Sequence, residues 1–227
     1  MFFRQLFDPE TWTYTYLLAD EHSKEAILID PVKEHIQEYL DLLKQYNFKL
    51  KYSLETHVHA DHVTAGGELR DKTGCQTAMH ELTKADCVSI RLKDGQELQF
   101  GKHVLKTIHT PGHTPCHASY LVKDRLFTGD SLFINGCGRT DFQKGSALDL
   151  WKSITQKLFN LPSDTLVYPG HDYHKMHVST IQQEKDLNPR FLNQNQESFV
   201  ELMNNLNLPN PKKIHEAVPA NEVCGIV

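Results

Sequence analysis

Thr56-His57-Val58-His59-Ala60-Asp61-His62 brings three imidazoles and one carboxylate into seven consecutive residues. Each is a metal ligand or a group that orients one. The preceding segment, residues 48–55, alternates Phe48, Leu50, Tyr52 and Leu54 with polar residues, the period of a strand with one buried face. The histidines then stand just past a strand end, where short loops in α/β folds aim several side chains at one point. The alternative is a polar loop rich in histidine, and the compact HxHxDH spacing argues against it. Imidazole and carboxylate suit zinc and iron alike, so the cluster predicts a metal centre and leaves the metal open.

Working outward, residues 13–18 and 26–30 read as strands joined by the polar turn 20–24. Ile36, Tyr39, Leu40, Leu43 and Tyr46 recur at three- and four-residue steps and predict a helix over 32–46 that lies on a sheet, with Pro31 at its start. A second helix over 64–72 stops near Gly74, and 76–80 is a short strand. Residues 98–100 and 104–108 form a hairpin, followed by strands at 120–122 and 125–128 around Lys123-Asp124. A helix at 148–159 carries Leu148, Trp151, Ile154 and Leu158 on one face, and 165–168 is a strand. Helices at 178–187 and 198–206 follow, and the tail from Pro209 is expected to be an extended wrap. Two sheets covered by helices, an α/β class, account for this order.

The delivery of a ligand at a strand end recurs. Thr110-Pro111-Gly112-His113-Thr114-Pro115 follows a strand and forces a tight turn that holds His113. Leu126-Phe127-Thr128-Gly129-Asp130 ends an apolar strand in glycine and a carboxylate, and Leu166-Val167-Tyr168-Pro169-Gly170-His171 does so with an imidazole. Alone, Asp130 is as good a turn former as a ligand. Four strand ends that each present His or Asp predict one shared site.

These motifs together resemble the metallo-β-lactamase fold, which implies an αββα sandwich spanning 1–227 as a single domain. More closely, the chain is similar to the persulfide dioxygenases (ETHE1 type), and less closely to glyoxalase II. The resemblance rests on residues 56–62, 110–115, 127–130 and 168–174, on Gly136-Cys137-Gly138-Arg139-Thr140-Asp141-Phe142-Gln143, on 187–190, and on Val218-Pro219-Ala220-Asn221 with Cys224-Gly225. It implies one Fe(2+) per chain, held by His57, His113 and Asp130. His59, Asp61, His62 and His171 then orient the ligands by hydrogen bonds, and with Asp130 they also complete the set that a two-metal hydrolase would use. Tyr173 offers its hydroxyl to the reacting molecules, with a buried structural hydroxyl as its other reading. Arg139 receives a glutathione carboxylate, with an ion pair to Asp141 as its other reading. Arg190, after Asn188-Pro189, reads as structural because Asn-Pro is a common helix stop. The implied reaction oxidises glutathione persulfide with dioxygen and water to sulfite and glutathione. A hydroxyacylglutathione hydrolase of glyoxalase II type and a non-catalytic metal-binding relative are the alternatives. Dimers are common in the family, so a homodimer is expected.

Across 227 residues, 39% hydrophobic and 23% charged, the composition is that of a globular chain, and a formal charge of -5 offers no basic field for nucleic acid. No run approaches membrane-spanning length and the opening residues lack a long apolar segment, so no membrane partner and a cytoplasmic location are expected. Cys75, Cys87, Cys116, Cys137 and Cys224 are odd in number and scattered. No disulfide framework is expected, and each thiol is assigned to packing.

Overall fold

In a computed structural model that describes every residue except His174, Lys212 and Val227, the strands divide into two six-stranded sheets, each in chain order. The first contains β1 (Phe2–Asp8), β2 (Thr13–Ala19), β3 (Glu25–Ile29), β4 (Lys49–Leu54), β5 (Gln76–His80) and β6 (Ile90–Leu92). The second contains β7 (Glu97–Phe100), β8 (His103–His109), β9 (Ala118–Val122), β10 (Arg125–Gly129), β11 (Leu166–Pro169) and β12 (Ser179–Thr180). β3 through β6 pair parallel, as do β10 and β11. A parallel pair needs a long crossover, and α1 (Ile36–Gln45) and α2 (Gly66–Thr73) supply two of them.

The period-two pattern separates the layers. On β2, Tyr14, Tyr16 and Leu18 enter the core between the sheets, where Phe100, Leu105, Tyr120 and Phe127 meet them. Leu17 and Ala19 face the other way and pack with Leu28 against Tyr39 and Leu43 of α1 and Leu69 of α2. On the second sheet, Leu126 and Val167 face Leu150 and Ile154, Ile181, and Phe199 and Met203. These belong to α3 (Ala147–Lys152) and the turns after it, α4 (Ile181–Leu187) and α5 (Gln196–Asn204). The layers run helix, sheet, sheet, helix, the αββα sandwich that the motifs imply.

Several boundaries differ from the sequence reading. A 3-10 turn over Lys33–His35 precedes α1, and α3 widens after Lys152 into a π turn over Ser153–Lys157. β1, β6 and β12 lie at or near sheet edges and lack a clear alternation, so the apolar pattern does not reveal them. The larger correction concerns the tail. It is not an extended wrap: α6 (Ile214–Glu222) buries Ala217 and Ala220 beside Val63, and Pro219 lies within it. Nor is the chain without a disulfide, because Cys87 bonds Cys224 across 137 residues and fixes the end of α6 to the segment before β6. Partners so far apart leave no spacing signature; the packing of α6 brings them together.

Candidate metal centre

Each candidate ligand stands just beyond a strand. β4 leads to Glu55, Thr56 and His57, β8 to His113, β10 to Asp130 and β11 to His171. Because β4 and β10 belong to different sheets of one sandwich, their ends converge. Gly129 adopts φ +48, and a Cβ there would lie 2.5 Å from Thr56 Oγ1. A Cβ on Gly170 would come as close to Asp130 Oδ1, so the backbone must be bare where these loops cross.

His57, His113 and Asp130 are buried and present ligand atoms within 4.8 Å of one another. Their tautomers follow from their partners. The Thr56 hydroxyl donates to Asp30 Oδ2 at 2.9 Å, so His57 Nδ1–H, 3.0 Å away, donates to that hydroxyl and leaves the Nε2 lone pair free. His113 Nδ1–H donates to the Arg139 carbonyl at 2.7 Å, which likewise frees Nε2. Burial, followed by the neighbouring His59, His113 and His117, holds the His57 pKa well below the ordinary range, so its ring is neutral. Among the described residues Asp130 Oδ1 is buried without a hydrogen-bond partner, while the Asp130 N–H donates to His117 Nε2 at 3.0 Å. Two free imidazole lone pairs and an unsatisfied carboxylate oxygen fit a cation.

The remaining members of the cluster gather beside this set. His59 Nε2 lies 3.1 Å from Asp30 Oδ1 and 3.3 Å from Glu55 Oε2. Burial opposes its charge, but the two carboxylates prevail and raise its pKa well above normal. His62 Nδ1 donates to Asp61 Oδ2 at 2.9 Å, and His171 Nε2 is 3.4 Å from Asp130 Oδ1. Burial works against an ionised Asp61, yet His62 and His171 keep its pKa well below the carboxylate range. His59, Asp61 and His62 thus form a second group of possible ligands, in which His59 Nδ1 and His62 Nε2 lack hydrogen-bond partners among the described residues.

His113, Asp130 and His171 open onto a cavity of about 500 Å³ whose walls include Phe133, Ile134, Leu208 and Pro209. Tyr173 also lines it, 54% exposed, with its ring stacked 5.6 Å from His171. Partial enclosure, then Asp130 and Asp61, push its phenol pKa upward, so the hydroxyl keeps its proton. Arg139 lines the same cavity and is paired within its own loop. Its Nε and Nη2 hold the Asp141 carboxylate at 2.7 Å each, its Nη1 donates to the Pro209 carbonyl, and its plane covers Phe142. The ion-pair reading describes its position. Burial pushes the Cys137 thiol up to about 12, in keeping with a packing role.

Sequence reasoning missed four supporting residues: Asp30, Glu55, His117 and Asn221. Asp30 carried a usable signal, since Ile29-Asp30-Pro31 is one more carboxylate at a strand end. Glu55 bonds Thr64 and His59. Asn221 stood in the Val218-Pro219-Ala220-Asn221 stretch that carries part of the resemblance, but without a role; its side chain accepts from Thr64 N–H and donates to the carbonyls of His59 and His62. His174, in the stretch after β11, lies outside the described residues.

Residues 12–171 match the metallo-beta-lactamase superfamily. Over 226 residues the chain is 48% identical to the bovine (Bos taurus) "Persulfide dioxygenase ETHE1, mitochondrial", covering 98% of this chain and 88% of that protein. The human (Homo sapiens) protein of the same name is 47% identical with the same coverage. A crystal structure of ETHE1 from Myxococcus xanthus superimposes with a TM-score of 0.97 at 48% identity, covering 99% of this chain and 100% of that one. With its two sheets, the histidines and aspartates gathered at its strand ends and this similarity over nearly its whole length, the chain belongs to the metallo-β-lactamase superfamily and, within it, to the persulfide dioxygenase family.

Proposed function

We propose that the chain is an iron-dependent persulfide dioxygenase, converting glutathione persulfide, dioxygen and water to glutathione, sulfite and protons. The observation that carries this reading is the His57, His113 and Asp130 cluster, of which His113 and Asp130 line the cavity, with both imidazole Nε2 atoms freed by hydrogen bonds at Nδ1. Two histidines and a carboxylate with open positions suit non-haem Fe(II), and the dioxygenase chemistry in the relatives' names calls for a redox-active metal, which zinc is not. When bound, the Fe(2+), one per chain, supplies the redox chemistry by which oxygen adds to the terminal sulfur.

The side chains orient and exclude. Thr56 and the Arg139 carbonyl hold the His57 and His113 rings in their tautomers, so neither ring spends binding energy on reorientation. Asp30 and Glu55 fix His59, whose charge offsets part of the negative charge gathered at the site. Tyr173 keeps its proton and can donate a hydrogen bond to a sulfur or oxygen atom in the cavity. Phe133, Ile134 and Leu208 shield the polar end from bulk water. Arg139 shapes the wall by joining the 139–141 loop to Pro209. The reading extends to a homodimer in the cytoplasm, with no nucleic-acid or membrane partner, which sedimentation and cell fractionation check.

A two-metal thioester hydrolase is the second reading, favoured by the unpartnered His59 Nδ1 and His62 Nε2 beside Asp61. One preparation separates the two. Ferrous-reconstituted protein should consume oxygen with glutathione persulfide, release sulfite, contain one iron per chain and leave a glutathione thioester intact. Thioester cleavage without oxygen uptake, at two metals per chain, would replace the dioxygenase with the hydrolase.

A further inference from the structure

The reaction proposed above releases protons in a cavity that its own substrate occupies. Glutathione persulfide, dioxygen and water give glutathione, sulfite and two protons, while Phe133, Ile134 and Leu208 shield the polar end from bulk water. A second way out runs through the turn between β1 and β2. Asp61 Oδ2, 2.9 Å from His62 Nδ1 and 3.7 Å from His171 Nε2, accepts from the Thr13 hydroxyl at 3.1 Å. Thr13 Oγ1 lies 2.8 Å from Thr11 Oγ1, and the Thr11 hydroxyl donates to Asp8 Oδ2. Asp8 Oδ1 is 3.1 Å from His35 Nε2, and His35 Nδ1 is 3.4 Å from Glu38 Oε2 in the first turn of α1. Asp8 and Thr13 are buried, whereas the His35 side chain is 30% exposed and stands outside the cavity wall.

The hydrogens of this chain do not balance. Asp8, Thr11, Thr13 and Asp61 make three oxygen contacts in a row, yet the two hydroxyls bring one hydrogen each and an ionised carboxylate brings none. One more proton completes all three bonds. Asp8 also accepts from the Glu10 and Thr11 N–H groups, so part of the chain closes the turn. Turn closure accounts for Asp8 and Thr11 but not for Thr13, Asp61 and His35. The outer end suits delivery, because His35 can donate to Asp8 and Glu38 at once only when its ring carries a second proton, and imidazole exchanges protons with water near neutral pH.

We propose that Asp61, Thr13, Thr11, Asp8 and His35 form a proton path from the metal centre to solvent, with His35 as its exit. Asp61, whose charge His62 and His171 hold against burial, passes the proton on rather than keeping it. Thr13 takes it as its own hydroxyl proton moves to Thr11, and Thr11 gives its own to Asp8. The His35 ring collects that proton from Asp8 and loses one from its outer nitrogen to water; half-turns of the Asp8 carboxyl and of the ring reset the exit. The source of the protons rests on the dioxygenase reading, but hydrolysis of a thioester to a carboxylate and a thiol also releases a proton, so either activity drives the same path.

The test is initial-rate oxygen uptake by the ferrous protein with glutathione persulfide in dilute and concentrated buffer, for wild type, H35A and T13V, with iron content measured in each. In dilute buffer H35A should lose about 10-fold or more in kcat at unchanged KM and iron content, and recover when imidazole is added. T13V should lose kcat without recovery, because its gap lies inside the protein. Without turnover, the path should also carry the buried His62 Nδ1 proton to water, so its exchange in the metal-free protein, followed by proton NMR, should slow in T13V, whereas a merely loosened loop would speed it up. A wild-type kcat of H35A in dilute buffer would overturn the proposal, as would a loss that ignores buffer and imidazole. If wild type takes up no oxygen and cleaves the thioester, the dioxygenase reading falls, and the same comparison run on thioester hydrolysis decides the path.

Discussion

Asp30 shows how much of the centre depends on a residue that need not touch a metal. It sits just past β3 with φ 51, in the left-handed region that side chains seldom adopt. From there its carboxylate takes the Thr56 N–H at 2.7 Å, the Thr56 hydroxyl at 2.9 Å and His59 Nε2 at 3.1 Å. The Thr56 hydroxyl in turn fixes the tautomer of His57. Asp30→Asn replaces one acceptor oxygen with a donor and breaks this chain of bonds. Metal affinity should fall about 10- to 100-fold, as for other losses of ligand-orienting partners, and a chelator competition assay measures it. An unaltered affinity would show that His57 holds its tautomer without Asp30. Asp130→Ala removes a donor itself, so iron content and oxygen uptake should disappear together; a variant that retained both would take Asp130 out of the ligand set.

At the scale of elements, α6 acts as a buttress for the histidine loop. Asn221 ties together the carbonyls of His59 and His62 and the N–H of Thr64, while the Gly67 N–H donates to the Cys224 carbonyl. Asn221→Ala leaves three buried backbone groups unpaired at about 1–3 kcal/mol each before relaxation, so thermal denaturation should report a net loss of about 2–5 kcal/mol. A loss under about 1 kcal/mol would mean that water replaces the amide. The Cys87–Cys224 bond restrains the same element from the other side. A cross-link over so long a loop contributes about 2–4 kcal/mol, so a reducing agent should lower the Tm of the wild type and leave a Cys87→Ser/Cys224→Ser variant unmoved. An equal shift in both proteins would place the effect of the reductant elsewhere.

Over the whole molecule, burial of titratable groups between layers makes stability depend on pH. His80, at the end of β5, is buried with its ring stacked 3.8 Å from His109, and burial, then His109, lowers its pKa to about 4. In the unfolded chain an imidazole titrates near 6.5, so between about 4 and 6.5 the unfolded state binds more protons. The stability contributed by neutral His80 is complete above that window and is lost as pH falls through it. Asp94 opposes the shift and Lys157 adds to it. Tm should therefore decline from pH 6.5 to 4, and less steeply in His80→Phe, which keeps a ring against His109; equal slopes would show that other groups carry the acid sensitivity.

Much of this was legible from local pattern. Alternation in β4, three- and four-residue spacing in α1, and glycine before His113, Asp130 and His171 are properties of a few consecutive residues, so they can be read without knowing any tertiary contact. The sequence by itself thus determined the layer order, the strand-end site and the ligand set to be tested. Tertiary structure decided the rest. It closed Cys87 on Cys224, turned the tail into α6 beneath the histidine loop, and committed Arg139 to Asp141. The physical reason is that a side chain's role depends on which partners the folded chain brings within its reach. For Arg139 the partner is two residues away, whereas Asn221 reaches His59 across 162 positions only after the sandwich has closed.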